Sequence, residues 1–399
     1  MLVFISVMKV SMNEIFNIYF GIIEDNREQA NIKHPLINIL KLVMLAILCG
    51  MDELDKIIDY GNNKREFLKE KFSIEKIPSK STLTRVMIMV NPKWLGLAIV
   101  GILNTLIKEK ATQIMVDGKA IKSTDAMRTI DKIMNIVTVY TNTGVALAQN
   151  TVETKTNEIP VMQDLIEMLN IEGLVVTADA MHCQKETAEK IVKGKGDYVI
   201  QLKANQKSFY EDVYAMFDEK YMDKVDKDCE YEVFSTINKG AWKDRKKNML
   251  CIKWCGIFYR LYSNWKGLKK IFAVKREVEK DGKTSTEISC YLSSKNATAE
   301  ELLSYTRNHW KIESMHYILD VSYNEDACRV YTKNAQENLN IYRKMGVSIH
   351  KKYLKDKKKT VKSNMFNCLL NDELLLEVIG NITELCWIVI SDEITLRFL

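Results

Sequence analysis

The chain is short of the residues that break or staple a polypeptide. Among 399 residues there are only 4 prolines and 16 glycines, which leaves little room for long structureless linkers. Nine cysteines are scattered with no C-x-x-C pair, and beside 5 histidines they offer no paired ligand spacing except the adjacent His182-Cys183. A disulfide framework and a structural zinc site are therefore not expected. Cys251 and Cys255 stand four apart in an alternating strand pattern and read as structural. The apolar stretch Leu36–Cys49 is interrupted by Lys41 and falls short of the ~20 residues that span a bilayer. Met1–Met8 is apolar but has neither a basic start nor a small-residue cleavage site, so an export signal is not expected. What remains is ordinary globular usage, 47% hydrophobic and 28% charged, in a chain long enough for two or three units of roughly 150 residues. The expectation is a soluble cytoplasmic protein with no membrane partner.

The formal charge of +6 is unevenly spread. Arg343–Lys362 holds nine basic residues against one acid, Asp356, and a smaller cluster gathers Lys239, Lys243, Arg245, Lys246 and Lys247 around Asp244. Such runs suit a polyanion such as nucleic acid, and equally a solvated helix face.

Residues 1–110 read as helical. Pro35 opens a run in which Leu36, Ile39, Leu40, Val43, Met44 and Ile47 keep the spacing of a buried helix face. Further on, Ser79 or Ser81 can cap a helix whose first turns present Lys80, Thr82 and Arg85, a polar start of the kind a helix-turn-helix offers to DNA. From 112 the period changes. Gln113–Asp117 reads as a strand stopping at Asp117, and Lys132–Thr141 with Val145–Val152 as a hairpin around Thr141-Asn142-Thr143-Gly144. A helix over 158–169, a strand over 174–179 ending in Asp179, a helix over 184–192, a strand over 197–202 and a helix over 208–217 follow. Four strand-like runs between 231 and 292 form a mainly β segment. Thr298 then caps a long helix over 299–319, and a further helix at about 334–354 carries the basic run. Two strands thus finish in acids, at the edge where open α/β sheets gather their sites.

On the long helix, His309, Glu313, His316 and Asp320 are spaced four, three and four apart and share a face, with Trp310, Ile312 and Leu319 expected to supply apolar contacts. Joined to Asp117 and Asp179, Glu313 is a candidate third carboxylate; Asp320 and Asp326 are alternatives. Carboxylates from distant parts of a chain suit Mg²⁺, and two such ions ~3.5–4 Å apart serve in-line displacement at phosphorus.

Five motifs follow one another in order: Asp117-Gly118-Lys119, Lys155-Thr156-Asn157-Glu158-Ile159, Thr177-Ala178-Asp179-Ala180, Leu202-Lys203-Ala204-Asn205-Gln206 and His309-Trp310-Lys311-Ile312-Glu313. On these the chain resembles the bacterial insertion-sequence DDE transposases of the ISAs type, close to the H-repeat-associated proteins. The stretch from His34-Pro35-Leu36 to Pro78-Ser79…Thr82…Arg85 resembles the domain preceding the catalytic core there. The resemblance implies an α/β, RNase H-like core over 111–218, a β-rich insertion over 219–297, and a core helix with the basic helix over 298–360. An α-helical N-terminal domain over 1–110 would serve DNA ends, and a tail follows over 361–399. It implies Asp117, Asp179 and Glu313 as a triad for two Mg²⁺ ions, with Mn²⁺ as a substitute. Phosphodiester hydrolysis and strand transfer on double-stranded DNA, meaning terminal inverted repeats and target, would be carried out by a homodimer in a synaptic complex on the nucleoid. Arg307, His309 and Lys311 on the helix, and Lys119, Lys155, Asn157, Lys203, Asn205 and Gln206 near strand ends, are candidate DNA contacts beside Arg85. One departure stands out: related transposases often carry Lys seven positions after the Glu, where this chain has Asp320. Trp242, Trp254 and Trp265 read as packing residues more readily than as base-stacking platforms. A decayed copy that binds DNA without cutting, and a structure-selective nuclease on the same fold, are the rival readings.

Overall fold

The computed structural model describes residues 11–121, 134–152, 158–217, 231–238, 244–253, 261–280, 283–330 and 332–380. Lys155, Asn157, Lys239, Lys243, Trp242, Trp254 and the tail from 381 lie outside the described residues. The chain forms two compact units: within the described residues the first takes 11–110, 119–152 and 313–380, and the second 111–118 and 158–312.

The first unit is mainly helical. Helix α1 (Met12–Phe20) begins in a capping box in which Ser11 and Glu14 satisfy each other's backbone N–H. Helix α2 (Leu36–Leu48) is apolar all round because it is buried all round: eleven of its thirteen residues are out of solvent, each large side chain contributing roughly 1.5–3 kcal/mol of burial. Its one charge, Lys41, is also buried and donates to Asn13 Oδ1 and the Phe72 carbonyl. Helices α3 (Leu54–Asn63), α4 (Arg65–Phe72), α5 (Lys80–Met89) and α6 (Pro92–Leu106) follow. Ser79, not Ser81, caps α5, its Oγ accepting from Thr82 N at 3.3 Å. No single helix among the described residues is long and apolar enough to cross a membrane.

Strand β1 (Gln113–Ile121) starts in the second unit and ends in the first. It does not stop at Asp117 as the sequence reading expects. Ile121, fully buried with Met134 and Ile136, gives the strand an apolar reason to continue. In the first unit that end belongs to the order β3-β2-β1, where β2 (Met134–Thr141) and β3 (Ala146–Val152) form the expected hairpin. Gly144 supplies the positive φ of +94° that its turn requires.

The second unit has the order β1-β4-β5-β9-β8-β7-β6. Strands β4 (Val175–Ala178) and β5 (Asp197–Leu202) run parallel to β1, joined through helices α7 (Glu158–Met168) and α8 (Lys185–Lys193). With β3-β2-β1 in the first unit and β1-β4-β5 in the second, the chain has an RNase H-like α/β core. Helix α9 (Lys207–Met216) follows β5. Strands β6 (Tyr231–Asn238), β7 (Asp244–Lys253), β8 (Lys270–Lys280) and β9 (Lys283–Ser293) make an antiparallel meander, and β9 joins β5 antiparallel, so the β-rich segment extends the sheet. Trp265 is buried 5.7 Å from the Phe209 ring, as a packing residue.

Helix α10 (Ala299–Ser322) opens in a capping box between Thr298 and Glu301 and passes from the second unit into the first after Ile312. Ile312, Met315 and Leu319 are its buried stripe. Trp310, expected beside them, is 56% exposed, because position 310 falls on the opposite side of the helix from that stripe. The basic run is also not one face. Helix α11 (Lys333–Tyr353) packs against α2, α5 and α6 and turns Arg343 and Lys344 fully inward. Helices α12 (Val361–Leu370) and α13 (Asp372–Ile379) close the described chain.

Candidate active site

Two parallel strands in register build the site. β1 and β4 pair from Gln113↔Val175 to Val116↔Ala178, so the next residue on each is an aspartate, Asp117 and Asp179. Asp117 is half-buried within β1, and its Oδ1 accepts from Gly118 N at 2.8 Å. Asp179 follows the end of β4 with its side chain half exposed.

The apolar strands carry two buried polar residues that organise this edge. Gln113 Nε2 donates to Thr177 Oγ1 at 3.0 Å and to the Tyr305 carbonyl on α10 at 2.9 Å. Thr177 Oγ1 lies 3.1 Å from His309 Nδ1, and the other ring nitrogen, Nε2, lies 3.2 Å from Asp179 Oδ1. The Thr177 hydroxyl also lies 3.4 Å from the Ile114 carbonyl. The hydrogen bond from His309 holds the Asp179 carboxyl below the usual carboxylate range, against the opposing effect of burial, with Lys203 and His182 adding smaller contributions. The turn after Asp179 is pinned from the loop after β5. Asn205 Nδ2 donates to the Ala180 carbonyl at 2.7 Å, and Gln206 Nε2 to the Cys183 carbonyl at 3.1 Å.

Glu158 is a third carboxylate at this edge and was not singled out by sequence. It opens α7, and a Cβ placed on Gly118 would meet Glu158 Oε2 at 2.3 Å, so the carboxylate rests where any side chain at 118 would stand. Burial, then the negative charges of Asp117 and Asp179, push the Glu158 carboxyl above its ordinary range. His182, in the turn after Asp179, is wholly buried, neither ring nitrogen has a hydrogen-bond partner among the described residues, and burial favours its neutral form. The available signals were Gly118 directly after an acid and a polar residue inside each apolar strand.

The remaining candidates are placed as follows. Glu313 is exposed on α10, four residues after His309 and within the first unit. Lys203 and Lys311 are exposed, and Arg307 Nη2 donates to Thr236 Oγ1 on β6. Arg85 is exposed on α5. Lys119 is drawn into a cluster of acids in the first unit, 2.7 Å from Asp320, 2.9 Å from Glu325 and 3.8 Å from Asp326. Asp320 and Asp326, the alternative third ligands, therefore have a lysine partner in place.

Among the described residues no three His, Cys, Asp or Glu side chains stand in a closed metal-ligand group. The donor chemistry nevertheless fits a hard divalent cation. Asp117, Asp179 and Glu158 are oxygen donors whose mutual repulsion a cation would relieve, and Gly118 leaves the cradle open.

Residues 110–347 match the family model described as "Transposase DDE domain", and residues 18–100 match "DDE_Tnp_1-associated". The chain is 32% identical to "Putative transposase YncI" of Escherichia coli O157:H7 over 92% of its own length and 95% of that protein's. It is 31% identical to "H repeat-associated putative transposase YhhI" of Escherichia coli strain K12, over 83% of this chain and 89% of the relative. With paired parallel strands whose register leads into Asp117 and Asp179 inside the matched segment, the chain belongs to the DDE transposase family.

Proposed function

We propose that this chain is an active transposase that hydrolyses a phosphodiester at each end of its own insertion sequence and directs the freed 3′-hydroxyl to attack a phosphodiester of target DNA, whose own 3′-oxygen leaves. The observation that carries this reading is the register of β1 and β4, which brings Asp117 and Asp179 to neighbouring positions, with His309 bonded to Asp179. Glu313 completes the set. It lies one helical turn beyond His309, at the spacing that keeps two side chains on one face of α10. Divalent cations on Asp117, Asp179 and Glu313, Mg²⁺ or Mn²⁺, would stabilise the attacking and leaving oxygens of each displacement.

The chain's own residues have separable tasks. Thr177 and Gln113 fix the His309 ring, and His309 fixes and keeps ionised the Asp179 carboxylate. Asn205 and Gln206 hold the turn that carries Asp179, which leaves exposed Lys203 to meet a DNA strand. Arg307 and Lys311, on the same helix, would meet a neighbouring phosphate. The helical region before 110 engages the terminal repeats, and a homodimer in a synaptic complex brings two ends together.

The test is strand cleavage and transfer on DNA bearing the element's own ends, with Mg²⁺, for the native chain and Asp179→Ala. Metal-dependent cutting that disappears in the variant while DNA binding persists is the expected result. Binding without cutting by the native chain would mean a copy that has lost its chemistry, and cutting that survives Asp179→Ala would exclude this triad.

A further inference from the structure

The first unit contains a cleft of about 620 Å³ that is unrelated to the aspartates. One wall is the segment before α2, with Arg27, Lys33 and His34; the other is the start of α5, with Ser79, Thr82 and Arg85. Arg27 is held rigid. Its guanidinium contacts both oxygens of Asp25 at 2.7 Å and donates to the His34 carbonyl at 3.0 Å. That bond ties the segment 25–34 into a fixed wall.

Two cations line this cleft beside Arg27. Elsewhere in the same helical region Lys56 pairs with Glu53, Lys71 with Glu70 and Lys80 with Asp55. Lys33 and Arg85 are exposed and make no ion pair among the described residues, and Arg85 donates to the Ser81 carbonyl of its own helix at 3.3 Å. Glu28 is the one acid on the cleft walls. Two cations from different segments outnumber the single acid, beside the positive end of a ten-residue helix and two hydroxyls, and make an electropositive slot. Its volume far exceeds that of one phosphate ion, which leaves room for more than one phosphate of a polymer.

We propose that this cleft grips the phosphodiester backbone of duplex DNA, with Lys33 and Arg85 each meeting a phosphate. The inference rests on the reading of the chain as a DNA-acting transposase and assigns the contact to a named surface. Such contacts position the duplex and do not read its sequence.

The experiment is fluorescence anisotropy of a labelled duplex carrying the element's ends, with the full-length chain, as a function of salt. Lys33→Ala/Arg85→Ala is compared with Lys69→Ala/Lys71→Ala, which removes equal charge from exposed lysines that have carboxylate neighbours. All variants are checked for unchanged thermal unfolding. The expected result is a log–log salt slope shallower by about 2 and at least tenfold weaker binding for the cleft variant only, since each phosphate contact contributes roughly 0.9 to the slope. Equal slope and affinity in the native chain and the cleft variant would overturn the cleft assignment while leaving the DNA reading intact. Equal losses in both double variants would reduce the cleft to general charge and overturn it as well. Weakened binding of inorganic phosphate with unchanged duplex binding would mark a site for the free ion and also overturn it. A native chain that binds no duplex at any salt would overturn the DNA reading itself, and the cleft assignment with it.

Discussion

His309 reaches Asp179 with one ring nitrogen, at 3.2 Å, while the other is anchored 3.1 Å from Thr177 on the strand that leads to that same aspartate. The imidazole is thus fixed from behind and acts on the carboxylate in front, the arrangement by which an outer residue sets a metal ligand's orientation. Replacing His309 by Ala is expected to lower Mn²⁺ affinity and strand cleavage by about 10–100-fold with little change in thermal stability. Isothermal titration with Mn²⁺ and a cleavage time course check both readouts. Unchanged metal affinity in that variant would exclude a role in orienting Asp179.

Gly118 and Glu158 form a second coupled pair. A methyl group at 118 would displace the end of a flexible carboxylate, not backbone, so Gly118→Ala should fold with a melting temperature within a few degrees of the native chain. Its expected defect is local: weaker Mn²⁺ binding and slower cleavage. Glu158→Gln should produce the same defect, and the double variant should be no worse than either alone, since both act on one carboxylate. Additive losses in this cycle would mean that the two residues act separately.

The sequence carried the strands and their acids openly. A short apolar run ending in Asp is legible at 113–117 and 174–179, and so is the turn at Gly144. What was not legible depended on distant partners. Glu158 looks like any acid in the first turn of a helix, a placement the helix dipole already explains. Lys119 stands beside Asp117 in the chain and invites a DNA role, yet its carboxylates at 320 and 325 lie about two hundred residues away. Arg343 and Lys344 open a basic run but face inward, because α11 packs on α2, α5 and α6 among its neighbours and leaves them no path to solvent.

That inward charge predicts a large stability effect. Glu325, with no exposed surface, accepts from Lys119 at 2.9 Å and from Asn340 at 2.7 Å and lies 3.8 Å from Arg343. Burial alone would raise its carboxyl pKa, but Lys119 and Arg343 outweigh it and hold the group ionised. Glu325→Ala removes the shared acceptor and leaves buried cations short of a counter-charge, at a cost of about 3 kcal/mol in urea unfolding. Lys358→Ala, on the exposed part of the same basic run, should stay within roughly 0.5 kcal/mol of the native chain.

His350 makes the first unit sensitive to acid. Its Nε2–H donates to the Leu48 carbonyl at 2.9 Å, and its Nδ1 accepts from Asn364 Nδ2 at 2.9 Å, a pattern only the neutral ring can make. Burial pushes its pKa from 6.5 down to about 4, against the smaller opposing effect of the Leu48 carbonyl. The unfolded chain therefore binds the proton more readily than the folded one between those values. Stability from the neutral ring is intact above about pH 6.5 and is lost as the pH falls toward 4, by up to about 3 kcal/mol at 1.36 kcal/mol per pH unit. His350→Gln keeps an amide in the cavity without a titrating ring, so its unfolding free energy should be lower at pH 7 but fall less between pH 6.5 and pH 4.5. Urea unfolding at both pH values measures the difference between the two chains, which cancels the carboxylates they share. Parallel pH profiles would assign the acid sensitivity to other groups.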